Sequence, residues 1–310
     1  MGNLLAFLFG MPFLLGTVDN WNILLGLDLV CTVLALVITP LLPESPKYQL
    51  LVRKNAKKAA RCVQFYQGKQ VDSHEIIEKI LQSESEATDQ ASHMTKLQLL
   101  QTYSKTLFLV TLVSLLPTVC GFQALGSYST PILTSAGLQE SWAGIYTLIM
   151  GGFELFGAIW AIHLNHNVPR RSALLTAVFI TFIANIGMFT LLQVRQSALS
   201  PGHPLSHYLS HFTGSLMFLV PAVVALSLIP CITMLPSELS PQPVRALATS
   251  VSFGAMAIGD VVCKFTVWPL YNLVGPYIFL GFAALTSVCY IILYYHLPET
   301  YEVTDQKTKH

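Results

Sequence analysis

Long apolar runs constrain this sequence more than any other feature. They are interrupted by one long polar stretch, residues 43–106, which carries 10 of the 17 Lys and Arg residues. Only 11% of the chain is charged and 53% is hydrophobic, whereas a typical soluble domain has about 25% charged residues. A chain of 310 residues cannot enclose so much apolar sequence in a soluble core. We therefore predict an all-α protein that crosses a lipid bilayer many times.

About eight stretches are predicted to span the membrane, although the first is shorter than the ~20 residues that a bilayer requires. The predicted parts are an N-terminal pair of helices at 1–42, a helical linker at 43–106, six helices at 107–297 and a tail at 298–310. The predicted spans are residues 2–18, 21–42, 107–133, 142–164, 172–193, 212–235, 246–270 and 276–297.

The linker contains helix signals of its own. Ser45 can cap a helix whose first residue is the following proline, and this helix is expected to continue to Gln67 and to end at Gly68. Asp72, with Glu75 three residues later, predicts the start of a second helix through a capping box. The linker is therefore expected to consist of short amphipathic helices.

The distribution of basic residues predicts the orientation. If the linker is cytoplasmic, fifteen Lys and Arg residues lie on that side, Arg195 alone lies on the other side, and Lys264 lies within a span. Cytoplasmic loops of membrane proteins carry an excess of Lys and Arg. We therefore predict that the linker and both termini are cytoplasmic. The net charge of +1 indicates no nucleic acid partner.

Several short motifs follow one another along the chain and together resemble a known family. They are Pro-Glu-Ser-Pro-Lys at 43–47, Gly-Phe-Gln-Ala-Leu-Gly-Ser-Tyr-Ser-Thr at 121–130, Pro-Arg-Arg at 169–171, Ser-Glu-Leu-Ser-Pro-Gln-Pro-Val-Arg at 237–245, and Gly-Pro-Tyr at 275–277 with Leu-Pro-Glu-Thr at 297–300. In this order they resemble the sugar-porter branch of the major facilitator superfamily, especially the facilitative hexose transporters of animals.

The resemblance implies twelve membrane helices in two six-helix halves that are joined by a cytoplasmic helical segment. This chain resembles only the part from the end of the fifth helix onward. Residues 1–42 are therefore expected to be a remnant of the N-terminal half, with the first four helices missing. The implied function is facilitated diffusion of a small polar solute, a hexose or another sugar, by alternating access in the plasma membrane. No cofactor is implied, and no enzyme motif is present, so we predict a transporter and not an enzyme.

The resemblance also assigns four charged residues to a cytoplasmic gate. Arg170 and Arg171 match the Arg-Arg motif of the family, and Glu238 and Arg245 match its Glu-x6-Arg motif. Arginine can hold a carboxylate through two hydrogen bonds and release it when helices move. The alternative is that the arginines only determine the membrane topology. Glu238 argues against this, because acidic residues contribute little to the positive-inside rule.

Further residues are assigned to the solute path. Aligned on the glycine of the second motif, a Gln pair that binds sugar in the family falls on Pro117 and Thr118, and an Asn falls on Gln123. Thr233 replaces a Trp that stacks on sugar, and Tyr128 is a further candidate. Because hydrogen bonds to a solute discriminate strongly, these replacements argue against glucose itself. The alternative for Gln123 and Tyr128 is ordinary hydrogen bonding between helices.

Three charged residues lie inside the predicted spans of the six-helix region 107–297. Glu154 stands where the family has an Asn that contacts sugar, and Asp260 and Lys264 lie four residues apart on one helix face. An unpaired carboxylate at mid-membrane costs at least ~2.5 kcal/mol. We therefore predict one buried cluster in which Lys264 neutralises Asp260 or Glu154. It could be a structural ion pair, a substrate site, or, through Glu154, a site of proton coupling.

Three histidines have a spacing that bears on metal binding. His203, His207 and His211 recur every four residues, a spacing at which two histidines can hold zinc. No acid or Cys stands nearby, so we predict no metal. The alternative to transport is a membrane partner or regulatory subunit that pairs with an intact transporter.

Overall fold

The computed structural model describes residues 2–11, 14–17, 19–68, 72–92, 101–198, 204–240 and 242–298. The predicted tail lies outside these residues from position 299 onward. The chain divides into two compact units, residues 1–8 with 102–310 and residues 9–101.

The regular elements of the described residues are helical. The α-helices are α1 Gly2–Phe9, α2 Trp21–Ile38, α3 Pro46–Leu51, α4 Ala56–Gln67, α5 Ser73–Ser92, α6 Ser104–Val119, α7 Phe122–Ser135, α8 Glu140–Asn167, α9 Arg170–Ala198, α10 Pro204–Met217, α11 Leu219–Val223, α12 Ile229–Leu239, α13 Gln242–Val274 and α14 Tyr277–His296.

Seven helical stretches in the described part of the chain are long and apolar enough to cross a membrane. One of them belongs to the smaller unit, and the other six belong to the larger unit. They are Asn22–Leu41, Ser104–Ser135, Glu140–His163, Arg170–Ser197, Leu205–Leu239, Val244–Val274 and Tyr277–His296.

The first predicted span, residues 2–18, is not a full span in the described residues. Helix α1 has only 8 residues and ends at Phe9. Beyond it the backbone turns, because the N–H groups of Leu14 and Gly16 both donate to the Met11 carbonyl at 3.0 Å. The apolar composition of this stretch was therefore a poor guide to its helix length.

The linker helices begin and end mostly at the predicted residues. Ser45 caps α3, α4 ends at Gln67 with Gly68 as its C-cap at φ of 93°, and Asp72 accepts a hydrogen bond from the first turn of α5. The prediction of one continuous helix between Ser45 and Gly68 is wrong in its middle. Lys54 adopts φ of 52°, and Asn55 caps a new helix, α4, because its short amide accepts from the first turn.

The span between Ser104 and Ser135 is broken at Gly121, whose φ of 81° is left-handed and separates α6 from α7. A break in a membrane helix frees carbonyl groups that lipid cannot satisfy. Two buried side chains from neighbouring helices donate hydrogen bonds to such carbonyl groups. Asn185 Nδ2 donates to the Cys120 carbonyl at 3.0 Å, and Thr286 Oγ1 donates to the Val119 carbonyl at 3.3 Å.

A second irregular span, Leu205–Leu239, stays continuous. Between α11 and α12 it passes through a π-helical turn, Val224–Leu228, that is largely buried. Such a turn inserts one extra residue into a helix. Helix α8 approaches this region closely at Gly157, where an added Cβ would lie 2.5 Å from the Ala222 carbonyl oxygen.

Candidate functional site

An ion pair joins two helix ends of the larger unit. Arg170 is the first residue of α9, Glu238 lies in the last turn of α12, and Arg170 Nη1 contacts Glu238 Oε1. The contact places a carboxylate beside the first turn of α9 and a guanidinium beside the last turn of α12. Helix dipoles favour both placements. The two side chains are 17% and 24% exposed, so the pair is largely shielded.

The two other predicted gate residues do not join this pair. Arg171 Nη2 donates to the Tyr294 carbonyl at 2.7 Å, and its guanidinium lies 5.9 Å from the centre of the Tyr294 ring. Arg171 therefore links α9 to α14. Arg245 is exposed, and its side chain makes no ion pair within the described ranges.

The three charged residues Glu154, Asp260 and Lys264 do not form one cluster. Lys264 Nζ lies 2.8 Å from Asp260 Oδ2 on the same helix, α13, and the side chains are 48% and 28% exposed. Glu154 Oε1 instead accepts a hydrogen bond from Asn3 Nδ2 of α1 at 2.9 Å. Among the described residues no ion pair joins Glu154 to Lys264. The prediction of a single buried cluster is therefore wrong, because similar depth in the membrane does not bring different helices together.

Glu154 lies in an apolar setting between helices. It lines a small cavity of about 70 Å³, together with Asn3, Leu4, other residues of α8, Ala225 of the π-helical turn and Ile229 of α12. Helix α1 packs closely on α8 here, since an added Cβ at Gly151 would lie 2.8 Å from Phe7 Cδ2. The Glu154 carboxyl group therefore lies at the contact between α1 and α8, within the larger unit.

Two of the predicted path residues lie against α13, on either side of its ion pair. Thr118 Oγ1 is buried, has no hydrogen-bond partner in the described part of the chain, and lies 2.8 Å from the position of a Cβ on Gly259. Tyr128 Oη donates to the Lys264 carbonyl, and the Tyr128 ring stacks on Trp268 with 5.6 Å between ring centres. We call Thr118, Tyr128, Asp260, Lys264 and Trp268 the α13 polar site.

The remaining path candidates contribute less to this site. Gln123 is half-buried, and no hydrogen bond of its side chain is found among the described residues. Thr233 is exposed, and its Oγ1 donates to the Pro230 carbonyl of its own helix at 2.9 Å. The structure therefore does not bring Thr233 to the α13 polar site.

Three residues with evident roles were not singled out from the sequence. Trp268 lies four residues after Lys264, so helical spacing alone could have placed it on the same face. Asn185 is a fully buried polar residue in the middle of an apolar span, which is a recognisable signal of interhelical bonding. Asn3 has no comparable signal, because it lies in a very short helix.

Comparison with known proteins identifies the family. The family model described as "Sugar (and other) transporter" matches residues 1–309. The chain belongs to this family of sugar transporters. Its members are membrane transporters and not enzymes, so the predicted resemblance, the all-α multi-pass fold and the absence of an enzyme role are confirmed.

The relatives are longer than this chain. Facilitated glucose transporter member 5 of solute carrier family 2 from Homo sapiens is 27% identical over 315 residues, covering 97% of this chain and 58% of that protein. Member 9 from Homo sapiens is 27% identical over 295 residues, covering 94% and 53%. The chain thus spans little more than half the length of these two relatives.

Solved structures share the fold. The proton:xylose symporter XylE bound to 6-bromo-6-deoxy-D-glucose matches with a TM-score of 0.70 at 18% identity, covering 96% of this chain and 60% of that one. The partially occluded inward-open xylose transporter XylE from E. coli matches with a TM-score of 0.65 at 17% identity, covering 96% and 59%.

Proposed function

We propose that this chain takes part in moving a small polar solute, a hexose or another sugar, across the plasma membrane by facilitated diffusion with alternating access. Family membership supports transport of this kind. The geometric observation that carries the proposal is the Arg170–Glu238 ion pair, which joins α9 to α12. An ion pair between helix ends can hold one state closed and can separate when helices shift.

The α13 polar site is the proposed place of solute contact. Asp260 Oδ1 is buried and has no hydrogen-bond partner among the described residues, and Thr118 Oγ1 is in the same condition. Unpaired buried polar atoms are costly. A solute that carries several hydroxyl groups would satisfy them, and the Trp268 ring, which stacks with Tyr128 and Tyr271, lies one turn beyond Lys264.

A chimera tests the proposal most directly. The helices that precede the matched region in human facilitated glucose transporter member 5 are fused to this chain, and the chimera is reconstituted in liposomes. We expect saturable, stereospecific uptake of at least one labelled sugar from a panel of glucose, fructose, xylose and a polyol. Asp260→Asn and Thr118→Val should raise the KM, because both remove groups proposed to contact solute. A folded chimera that transports none of the panel would contradict the proposal.

The 310-residue chain alone provides the matched control. We expect its liposomes to take up labelled glucose no faster than protein-free liposomes, because it matches little more than half of a complete relative. Stereospecific, saturable uptake by the chain alone would overturn this expectation.

The orientation requires its own test. The basic-residue bias supports a cytoplasmic linker. After removal of the native cysteines, Ser85→Cys in the linker should resist an impermeant thiol reagent applied to intact cells. Labelling before permeabilisation would reverse the orientation.

A second candidate function is pairing with an intact transporter as a non-transporting partner. The observation that favours it is the surface of α13, where Ile258, Val261 and Phe265 are exposed beside the Asp260–Lys264 pair. Because charges that face lipid are costly, the charged pair on this surface favours contact with another membrane protein. Co-purification with a full-length relative that is lost in a Phe265→Ala, Val261→Ala double variant would support this role.

Proton coupling through Glu154 is a finer proposal within transport. The apolar cavity around Glu154 supports a carboxyl that can bind a proton, whereas the hydrogen bond donated by Asn3 favours its ionised form. In the chimera, an inward proton gradient should stimulate uptake, and Glu154→Gln should abolish the stimulation. Equal stimulation in Glu154→Gln would remove Glu154 from the coupling.

A further inference from the structure

Two histidines lie one turn apart at the start of α10. His207 and His211 have ring centres 4.5 Å apart, with an angle of 74° between the ring planes. The basic-residue bias predicts that this end of the helix is on the outer side. The His207 side chain is exposed, and His211 is half-buried. His203, which shares the spacing, lies outside the described residues.

His211 is held in place by helix α8. Its Nδ1 lies 2.9 Å from Tyr146 Oη, and its ring meets the Trp142 ring edge-on with 5.8 Å between centres. When Nδ1–H donates to Tyr146 Oη, the lone pair of Nε2 remains available. Metal-binding histidines are oriented in this way, with one ring nitrogen bonded to the protein and the other directed to the ion.

Contrary to the expectation of no metal from the sequence, we propose that His207 and His211 bind a divalent transition metal ion, above all Zn²⁺, and that Tyr146 is the positioning residue. With a Zn–N distance of about 2.1 Å, two imidazoles on a tetrahedral ion have ring centres about 5.2 Å apart. The observed 4.5 Å is within reach of that value through small side-chain rotations. Imidazole ligands also accept Cu²⁺ and Ni²⁺. This inference is independent of the proposed transport.

The site differs from a structural zinc site. Within the described residues no group of three or more His, Cys, Asp and Glu side chains is placed to hold a metal. Two protein ligands leave the other coordination positions to water. The ion would therefore bind reversibly, and through Tyr146 it would fix the start of α10 against α8.

Zinc titration of the purified chain tests the site. The 310-residue protein is prepared with an affinity tag that contains no histidine, and Zn²⁺ is titrated in competition with a chromophoric indicator at neutral pH. We expect one bound equivalent that His207→Ala and His211→Ala each weaken by at least about tenfold. Tyr146→Phe should weaken it by about 10- to 100-fold, the range found for residues that orient metal ligands. His296→Ala, at the end of α14, is the matched control and should bind like the parent.

Melting temperature gives a second readout. Because the His207 side chain is exposed, His207→Ala should melt like the parent without zinc. Zinc should then raise the melting temperature of the parent and of His296→Ala, and not that of His207→Ala. No saturable zinc binding by the parent, or unchanged binding by folded His207→Ala, would overturn the proposal. Unchanged binding by Tyr146→Phe would overturn the role given to Tyr146.

Discussion

Two ion pairs among the described residues of the larger unit differ in the number of helices that they join. Arg170 and Glu238 belong to α9 and α12, whereas Asp260 and Lys264 lie one turn apart on α13. When helices move as rigid bodies, a pair within one helix keeps its geometry and a pair between helices can be broken. Only the Arg170–Glu238 pair is therefore suited to a gate.

The exposed fractions of the side chains also distinguish the two ion pairs. The Arg170 and Glu238 side chains are 17% and 24% exposed, but those of Asp260 and Lys264 are 28% and 48% exposed on a membrane-spanning helix. Charges on such a helix are expensive when they face lipid. The α13 pair is therefore best explained as charge neutralisation beside a solute, water or another protein helix.

The largest effect is expected from removing one partner of the α13 pair. Lys264→Met leaves Asp260 without a cation, and an unpaired carboxylate in a membrane helix costs about 2.5–3.5 kcal/mol. The variant should give less monodisperse protein and a lower melting temperature than the parent. Adding Asp260→Asn should restore most of the loss, whereas adding Glu154→Gln should not, because Glu154 bonds to Asn3. Parent-like stability of Lys264→Met would refute the neutralising role.

An intermediate effect is expected at the interhelical pair. A double-mutant cycle of Arg170→Met and Glu238→Gln should show a coupling energy of about 1–2 kcal/mol, within the range for residues in contact. Arg245→Met is the matched control, since no ion pair of Arg245 is found in the described part of the chain, and it should stay within about 0.5 kcal/mol of the parent. The measurement is the melting temperature of each variant in one detergent. A coupling energy no larger than the stability change caused by Arg245→Met would contradict a gate role of the Arg170–Glu238 pair.

The sequence predicted positions along the helices better than contacts between them. Hydropathy placed the six spans of the larger unit, and helical spacing placed Asp260 and Lys264 on one face. Neither hydropathy nor helical spacing determines how one helix is rotated relative to another. For that reason depth alone suggested a Glu154–Lys264 contact, whereas the structure places Asn3 beside Glu154.

The break at Gly121 shows the same limit. A glycine in an apolar run is compatible with a continuous membrane helix, so the sequence did not predict the left-handed residue between α6 and α7. The break is stabilised by Asn185 and Thr286, which belong to two other helices and donate hydrogen bonds to the carbonyl groups beside it. Such long-range partners can be found only when the helices are packed together.

The smallest effect is expected at Arg171, which sharpens the comparison because it links two helices and makes no ion pair among the residues that the structure describes. Its guanidinium donates to the Tyr294 carbonyl and lies over the Tyr294 ring. A partly exposed contact of this kind contributes about 0.5–1 kcal/mol, so Arg171→Met should lower the melting temperature less than Arg170→Met. Arg171→Lys keeps the charge but loses the planar fork, and it should fall between Arg171→Met and the parent. If Arg171→Met lowers the melting temperature as much as Arg170→Met, then a link between two helices contributes more to stability than a pair of opposite charges. The gate must then be assigned to both arginines.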